Sequence, residues 1–590
     1  MQSIINKINS VMQEAFVKCG YSAEYGVTTL SNRPDLCQYQ CNGALSAAKA
    51  YKKAPIVIAK EVSELLNEAS CFKEVDCVMP GFINLTLTDE FIAEYINEMT
   101  REKKYGCDEV GKGQTIIVDY GGPNVAKPLH VGHLRTAIIG ESIKRTGKFL
   151  GYDMLGDVHL GDWGLQIGLI IAELNRRKPE LIYFSTEEPE EYPEEPPFTI
   201  SELEEIYPTA SSFAKETPWF MEKAKQVTYM FQNGHKGYVA LWKHILKVSI
   251  EDLKKNYANL NVYFDLWKKE SDAQPYIPDM IDKLKEKGLA YLSEGALVVD
   301  VKEDTDQKEM PPCILVKSDG ATLYSTTDLA TIVERMKLYE PNEIIYIVDK
   351  RQEMHFEQVF RCARKGEIVP ESTKLTFLGF GTMNGKDGKP FKTRDGGVMR
   401  LERLISEVSD KVYEKVARDK EIEEKEAREI SKKVGVAALK YGDLSNQISK
   451  DYVFDLDRFV SFEGNTGPYI LYTVVRINSI LNKFQESNSS EELNKTEIQG
   501  ALNESERGLM LKLVQFNEVI TKSFLEYTPN RICQYIYDLA NEFNSFYHSN
   551  RILSEEDTDR KISWIKLITL TKDILVCCLD LLGIEVPDRM

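Results

Sequence analysis

The chain has 590 residues and a mass of 67.3 kDa, with 43% hydrophobic, 28% charged and 10% aromatic residues. That balance excludes a disordered or collagenous chain, and the length asks for about three or four units, because single hydrophobic cores stop growing near ~250–300 residues. Its 74 basic and 92 acidic residues give a net charge of −18, which argues against non-specific coating of nucleic acid while leaving room for a local basic groove.

Eleven cysteines, an odd number without a paired CxxC, predict reduced thiols in a cytoplasmic protein and no structural zinc. The first twenty residues alternate polar and apolar residues at helical spacing, unlike a secretory leader, and no run of about 18 apolar residues predicts a membrane span.

Residues 1–109 read as a small α/β unit. It holds an amphipathic helix from Ser3 to Cys19, a turn-rich SNRPDLCQYQCNG, a helix from Ala44 to Lys52, and strand-like VDCVMP and GFINLTLT. The charged, Gly-containing REKKYGCDEVGKGQ then reads as a linker. From Thr115 the runs TIIVDY, GALVVDV, CILVK, EIIYIVD and LTFLGF alternate with helical segments, the pattern of a parallel sheet covered on both faces. Within this region ten Glu and no Lys or Arg between Glu180 and Glu205 predict a solvated loop inside an insertion of about 165–295. Residues 110–400 form the expected α/β body. After Val398 strands disappear, helices fill 401–460 as a linker, and 461–590 is all-helical, with SNSSEELNKTE as an inter-helix loop.

The most specific segment is residues 115–152, where a buried strand precedes the loop GGPNVAKP and His130-Val131-Gly132-His133 opens a helix with apolar positions at helical spacing. Free backbone N–H groups, the positive end of the helix dipole and a glycine make such a terminus an anion site, where His130 and His133 stabilise charge on a phosphate and Gly132 permits close approach. No Walker A loop and no GxGxxG following a strand is present.

HVGH resembles the HIGH motif of class I aminoacyl-tRNA synthetases, and GGPNVAKP resembles the arginyl-tRNA synthetases in particular. The likeness continues through HLGDWGLQIG, YSTTDLA, IYIVDKRQEMHFEQVF, GKDGKPFKTRDGG, EGNTGPYILYTVVRI and LDLLGIEVPDRM, and the N-terminal RPDLCQYQCNGALSAAK looks like the extra domain of that family. The resemblance implies an α/β fold: a Rossmann-like parallel-sheet catalytic domain, a small N-terminal α/β domain touching tRNA, and a C-terminal all-α anticodon-binding domain. It implies a monomer that attaches L-arginine to arginine tRNA through arginyl-adenylate, with ATP as substrate, Mg²⁺ accompanying the ATP, and no metal held by the protein.

A guanidinium carries five donors and no acceptor, so a selective pocket needs fixed carboxylates and other acceptors. Asp328 follows Tyr324 by four residues and shares its helical face; the resemblance implies that both contact the arginine side chain. By the same resemblance, Asp119 adds a second carboxylate, Asn124 and Gln352 hold the α-ammonium, and His130 lies near the α-carboxylate. Lysine would leave acceptors unpaired at a cost of about 1–3 kcal/mol each, so no editing domain is expected.

The loop Lys389-Pro390-Phe391-Lys392-Thr393-Arg394 departs from the class I KMSKS pattern, with Thr393 at its second lysine. Residues 386–403 still carry six basic and three acidic residues, and Lys392 and Arg394 are expected at the phosphates. The family resemblance implies that Lys127 compensates for the missing lysine.

Residues 462–590 carry 13 basic and 19 acidic residues, so charge does not mark this end as RNA-binding. By itself the composition fits a helical oligomerisation domain equally well; what favours RNA is an aromatic and amide-rich set, Tyr469, Tyr472, Arg476 and Asn478, then Tyr535, Tyr537, Asn541, Asn544, Tyr547 and His548, side chains able to stack on and hydrogen-bond splayed bases, although many of them fit a core equally well. From the resemblance, Tyr547 and Met590 are expected near the anticodon, and Gln38 and Asn42 at the outer corner of the tRNA. Two other readings stay open: a ligase of the same fold with another acceptor, and a non-catalytic RNA-binding relative.

Overall fold

The structure is a computed structural model that describes all residues except 34, 186, 188, 319, 392–398, 418–421 and 488–495, and the side chain of Ser487. Lys392, Thr393 and Arg394 therefore lie outside the described residues.

The first helix, Ile4–Lys18, starts where Ser3 Oγ accepts from Asn6 N, and it buries Ile4, Ile8, Met12, Ala15 and Phe16 along one face. That face packs on an antiparallel sheet of order β1-β2-β4-β3, with β1 Thr28–Leu30, β2 Tyr39–Cys41, β3 Phe72–Val78 and β4 Phe82–Leu87. The turn-rich segment thus supplies a strand. The expected second helix is Gly43–Tyr51.

The central sheet is parallel, in the order β11-β10-β5-β6: β5 Thr115–Asp119, β6 Asp153–Asp157, β10 Glu343–Asp349 and β11 Lys374–Phe380. Helix Val131–Phe149 connects β5 to β6, and helix Glu353–Lys365 connects β10 to β11. The runs GALVVDV and CILVK do not join this sheet. They form, with a third strand, a separate antiparallel sheet of β7 Ala290–Ser293, β8 Ala296–Val299 and β9 Cys313–Val316. The reason is local: Glu294 and Gly295, both at positive φ, join β7 to β8, and a two-residue connection can only link antiparallel neighbours.

The acidic stretch is only partly a loop. Helix Ile200–Glu216 begins within it, with Thr199 and Glu202 forming a reciprocal cap, Glu202 pairing with Lys178, and Glu204 pairing with Arg400. Helices Pro218–Gln232 and Lys236–Ala258 follow.

Among the described residues beyond 398, the regular structure is helical apart from a two-residue strand, Tyr452–Val453, which pairs in parallel with Met383–Asn384. Helix Leu401–Val416 lies against helix Glu424–Leu444, which packs on helices Gly467–Ser487 and Pro529–Ser549 of the C-terminal end, and helix Thr558–Leu581 packs on both of those. One apolar core runs from the N-terminal unit to Ile584, and a second lies around β8–β10 and helix Glu353–Lys365.

Candidate active site

In the central sheet β5 leads outward to β6 on one side, while β10 and β11 extend on the other, so the strand order reverses between β5 and β10. Ligands of open α/β sheets bind at the carboxyl ends of strands at such a point. A cleft of about 450 Å³ opens there, lined by Asp119–Gly122 at the end of β5, Ile347–Asp349, Arg351 and Gln352 at the end of β10, Phe380–Met383 at the end of β11, and His130–His133.

His130 caps helix Val131–Phe149. Its Nδ1 accepts from Gly132 N at 3.0 Å, while His133 Nδ1 accepts from His130 N at 3.2 Å, and the two rings lie 4.0 Å apart. Burial and the Lys127 charge lower the His130 pKa; burial, His130 and Lys127 push His133 down to about 3. Both imidazoles are therefore neutral near pH 7, and because each Nδ1 accepts a backbone hydrogen bond, each ring carries its proton on Nε2. They act as hydrogen-bond donors and not as fixed cations. A Cβ at Gly132 would stand 2.8 Å from His130 Cε1, so this glycine makes room for the ring that caps its own helix.

The backbone on either side of residues 392–398 is tied to the cleft. Phe391 N donates to Met383 O, Val131 N donates to Met399 O, and Leu401 N donates to Leu129 O. Lys127 does not line the cleft: its Nζ rests 4.4 Å from the Tyr207 ring centre.

Asp119 lies at the end of β5, but Arg335 Nη2 holds its Oδ2 at 2.6 Å and Asp157 Oδ2 at 2.8 Å. This carboxylate is already paired with an internal arginine, so it reaches a ligand only as part of that pair. Asp119, Asp157 and His159 present donor atoms within 4.8 Å of one another, a spacing that a metal ion would accept, yet the guanidinium of Arg335 bonds both carboxylates.

Tyr324 opens helix Tyr324–Tyr339 and is 73% exposed; Asp328 follows one turn later, half-buried, with its Oδ2 2.6 Å from His355 Nε2. Glu270 joins them, a residue that no motif marks. Burial and the charges of Asp162 and Asp328 push its pKa up to about 8, and burial, followed by the charge of Glu270, raises that of Tyr324. Glu270, on a short helix packed against the one that carries Tyr324 and Asp328, completes a group of acidic and phenolic side chains, none of which lines the cleft. Asn124 pairs with Gly161 beside it, and Gln352 lines the cleft, capping helix Glu353–Lys365 without a side-chain bond.

At the C-terminal end, Tyr469 OH donates to Asn541 Oδ1 and accepts from Asn544 Nδ2, Arg476 Nη1 donates to Asn544 Oδ1, and the Arg476 guanidinium lies over the rings of Tyr472 and Tyr547. These residues knit helix Gly467–Ser487 to helix Pro529–Ser549, with Tyr472 41% and Tyr547 37% exposed. Tyr535, expected on the same face, is core. Met590 packs against the main core, Asn42 is exposed, and Gln38 Oε1 accepts from Leu87 N within the N-terminal sheet.

Comparison with known proteins bears directly on this arrangement. The family described as tRNA synthetases class I (R), catalytic domain, matches residues 95–456; the Arginyl tRNA synthetase N terminal domain matches 2–87, and the DALR anticodon binding domain matches 470–590. Arginine–tRNA ligases of Agathobacter rectalis and Alkaliphilus oremlandii are each 58% identical, over the full length of both chains. Among solved structures, arginyl-tRNA synthetase from Plasmodium falciparum superposes with a TM-score of 0.80 at 26% identity, covering all of both chains. The Thermus thermophilus arginyl-tRNA synthetase gives 0.78 at 20% identity, again over all of both chains, and supports the fold. With its HVGH-capped helix at the switch point of a parallel sheet and all three family regions in order, the chain belongs to the class I arginyl-tRNA synthetases.

Proposed function

We propose the following division of labour in a chain that attaches L-arginine to its tRNA with consumption of ATP. The cleft takes ATP, delivered with its Mg²⁺. The arginine carboxylate attacks the α-phosphorus, a P–O bond forms, the bond to pyrophosphate breaks, and arginyl-adenylate results. A ribose hydroxyl of the tRNA's terminal adenosine then attacks the carbonyl carbon and AMP leaves. No covalent enzyme intermediate is needed; positioning and charge stabilisation lower the barrier.

His130 and His133 donate from Nε2 to phosphate oxygens at a helix N-terminus whose dipole favours the same charge. Lys127 supplies a cation to the phosphates by leaving the Tyr207 face, with Lys392 and Arg394 as further cations. Asp328, Glu270 and Tyr324 receive the guanidinium, with Asp119 behind them in its pair with Arg335. Asn124 and Gln352 hold the α-ammonium, and His130 lies near the α-carboxylate.

The exposed network of Tyr469, Tyr472, Arg476, Asn541, Asn544 and Tyr547 receives the anticodon end, with Met590 nearby, and Asn42 and Gln38 meet the outer corner of the tRNA. We divide the chain into an N-terminal unit 1–109, a catalytic body 110–400 with its insertion at about 165–295, a helical linker 401–460 and an anticodon domain 461–590. The protein works as a monomer in the cytoplasm, a reading supported by free cysteines that are mostly buried. No described helix is long and apolar enough to cross a membrane.

The observation that carries this reading is the HVGH-capped helix terminus in the cleft, in a chain whose catalytic body also groups Glu270, Tyr324 and Asp328, side chains able to hold a cation. Pyrophosphate exchange into ATP tests it, with arginine, lysine, citrulline or no amino acid, each with and without tRNA. Exchange with arginine alone among the three is expected; equal exchange with citrulline would overturn the assignment of the carboxylates. Loss of exchange in Lys127→Ala is expected, and retention there with loss in Lys392→Ala or Arg394→Ala would move the compensating cation into the loop.

A further inference from the structure

The helix that begins at HVGH also carries Arg135, which no motif singles out. Its guanidinium is almost fully buried and lines the floor of the cleft. Nε lies 3.0 Å from Asp443 Oδ2, a carboxylate equally buried in the last turn of helix Glu424–Leu444. Nη1 donates to the carbonyl of Gly381, just past the end of β11, and to that of Lys450 at 3.2 Å. The rings of Tyr452 and Phe380 lie 5.1 and 5.9 Å from its central carbon, and Tyr452 OH donates to Asp443 Oδ2 at 2.7 Å.

One side chain therefore joins four pieces of chain: the phosphate-binding helix, the β11 end that lines the cleft, the 450–452 segment and the helix of Asp443. A buried ion pair is weak evidence for stability, since desolvation offsets its attraction. What fixes geometry is Nη1 donating to two carbonyls of different segments while the charge pairs with Asp443, although Nε and Nη2 make no hydrogen bond, and a lysine point charge on a flexible stem cannot reproduce that direction.

We propose that Arg135, oriented by Asp443 and Tyr452, is a positioning residue of the nucleotide cleft: it sets the distance between the HVGH helix and the Gly381–Met383 wall across which ATP lies. The same turn of helix Glu424–Leu444 reaches the C-terminal helices. Tyr441 OH donates to Cys533 O, and Lys440 Nζ donates to the carbonyls of Gly583 and Leu260. The cleft floor is thereby braced against the helical body and not against the catalytic sheet alone.

The inference rests on reading the cleft as the ATP site. Its test is pyrophosphate exchange by the full-length enzyme with tRNA present, with KM for ATP, KM for arginine and kcat measured separately beside thermal melting. Arg135→Lys is expected to raise KM for ATP about tenfold, and Tyr452→Phe, which removes only the hydroxyl bond to Asp443, about three- to fivefold, as loss of hydrogen bonds to charged and neutral groups predicts. KM for arginine and kcat stay within about twofold in both.

An unchanged KM for ATP in either folded variant overturns the proposal, as does a parallel shift of all three parameters, which marks general loosening. If Arg135→Lys does not fold, Tyr452→Phe decides alone. Failure of the wild-type enzyme to show saturation with ATP would instead strike the reading of the cleft itself.

Discussion

His355 Nε2 lies 2.6 Å from Asp328 Oδ2, joining the helix after β10 to the helix that opens at Tyr324. The contact occupies one carboxylate oxygen and aims the other, and under the proposed function it fixes the orientation in which Asp328 would meet a guanidinium. Asp328→Asn is expected to lower kcat/KM for arginine by a factor corresponding to about 2–5 kcal/mol, the cost of truncating one partner of a hydrogen-bonded charge pair. His355→Gln costs about tenfold through lost orientation. Steady-state kinetics with each substrate varied checks this, and KM for ATP stays near the wild-type value in both.

Glu270 makes arginine binding depend on pH. Below about 8 the ligand-free enzyme holds this acid largely protonated, whereas an incoming guanidinium favours the carboxylate. Binding therefore releases a proton, and affinity for arginine rises as pH climbs from 6 towards 8. Calorimetry in buffers of different ionisation enthalpy reads the release directly, and Glu270→Gln abolishes it. The sign for stability is opposite. An acid raised from its ordinary 4.5 to about 8 binds more protons folded than unfolded, so its contribution to the ligand-free fold declines between those values and is flat above them.

Gly132→Ala separates catalysis from stability. Alanine is the better helix former by up to about 1 kcal/mol, a gain offset by the cap of similar size lost when the His130 ring moves, so the melting temperature stays close to that of the wild type. The added methyl nevertheless meets the His130 ring and displaces it. A fall in kcat of about 10²-fold is expected, in the range for loss of one preorganised transition-state donor. Differential scanning calorimetry beside pyrophosphate exchange gives both numbers from one preparation.

Arg476 anchors the exposed network at the C-terminal end by holding Asn544 and lying over Tyr472 and Tyr547. Arg476→Ala is expected to raise KM for tRNA by about five- to thirtyfold, corresponding to about 1–2 kcal/mol from lost stacking and backbone contact. Arginine and ATP parameters in exchange assays saturated with tRNA remain unchanged. The effect on KM for tRNA shrinks at higher salt, where phosphate contacts weaken in both proteins.

The sequence was informative wherever the determinant is local. HVGH announces itself because a cap, a glycine and the apolar spacing of one helix lie within a few residues, and that helix does begin at Val131. Tyr324 and Asp328 share a face for the same reason. β6 escapes notice because DMLGD puts an aspartate at each end and a glycine inside, a composition that reads as a turn and becomes a strand only by pairing with β5. GALVVDV and CILVK have the composition of the central strands, and only the tight turn before β8 assigns them to another sheet. Glu270, Tyr207 and Arg335 carry no signature, since each matters through a partner far away in the chain. The neutrality of His133 is likewise a property of the folded environment.

Arg335 has a consequence of its own. Where Asp119, Asp157 and His159 converge, the chain carries a counter-charge covalently attached to its own backbone. Such a cation cannot be stripped by a chelator, displaced by a competing ion or lost through scarcity in the surrounding medium, and it keeps its charge at every pH the cell reaches. The back wall of this site thus carries its positive charge without drawing on the metal supply.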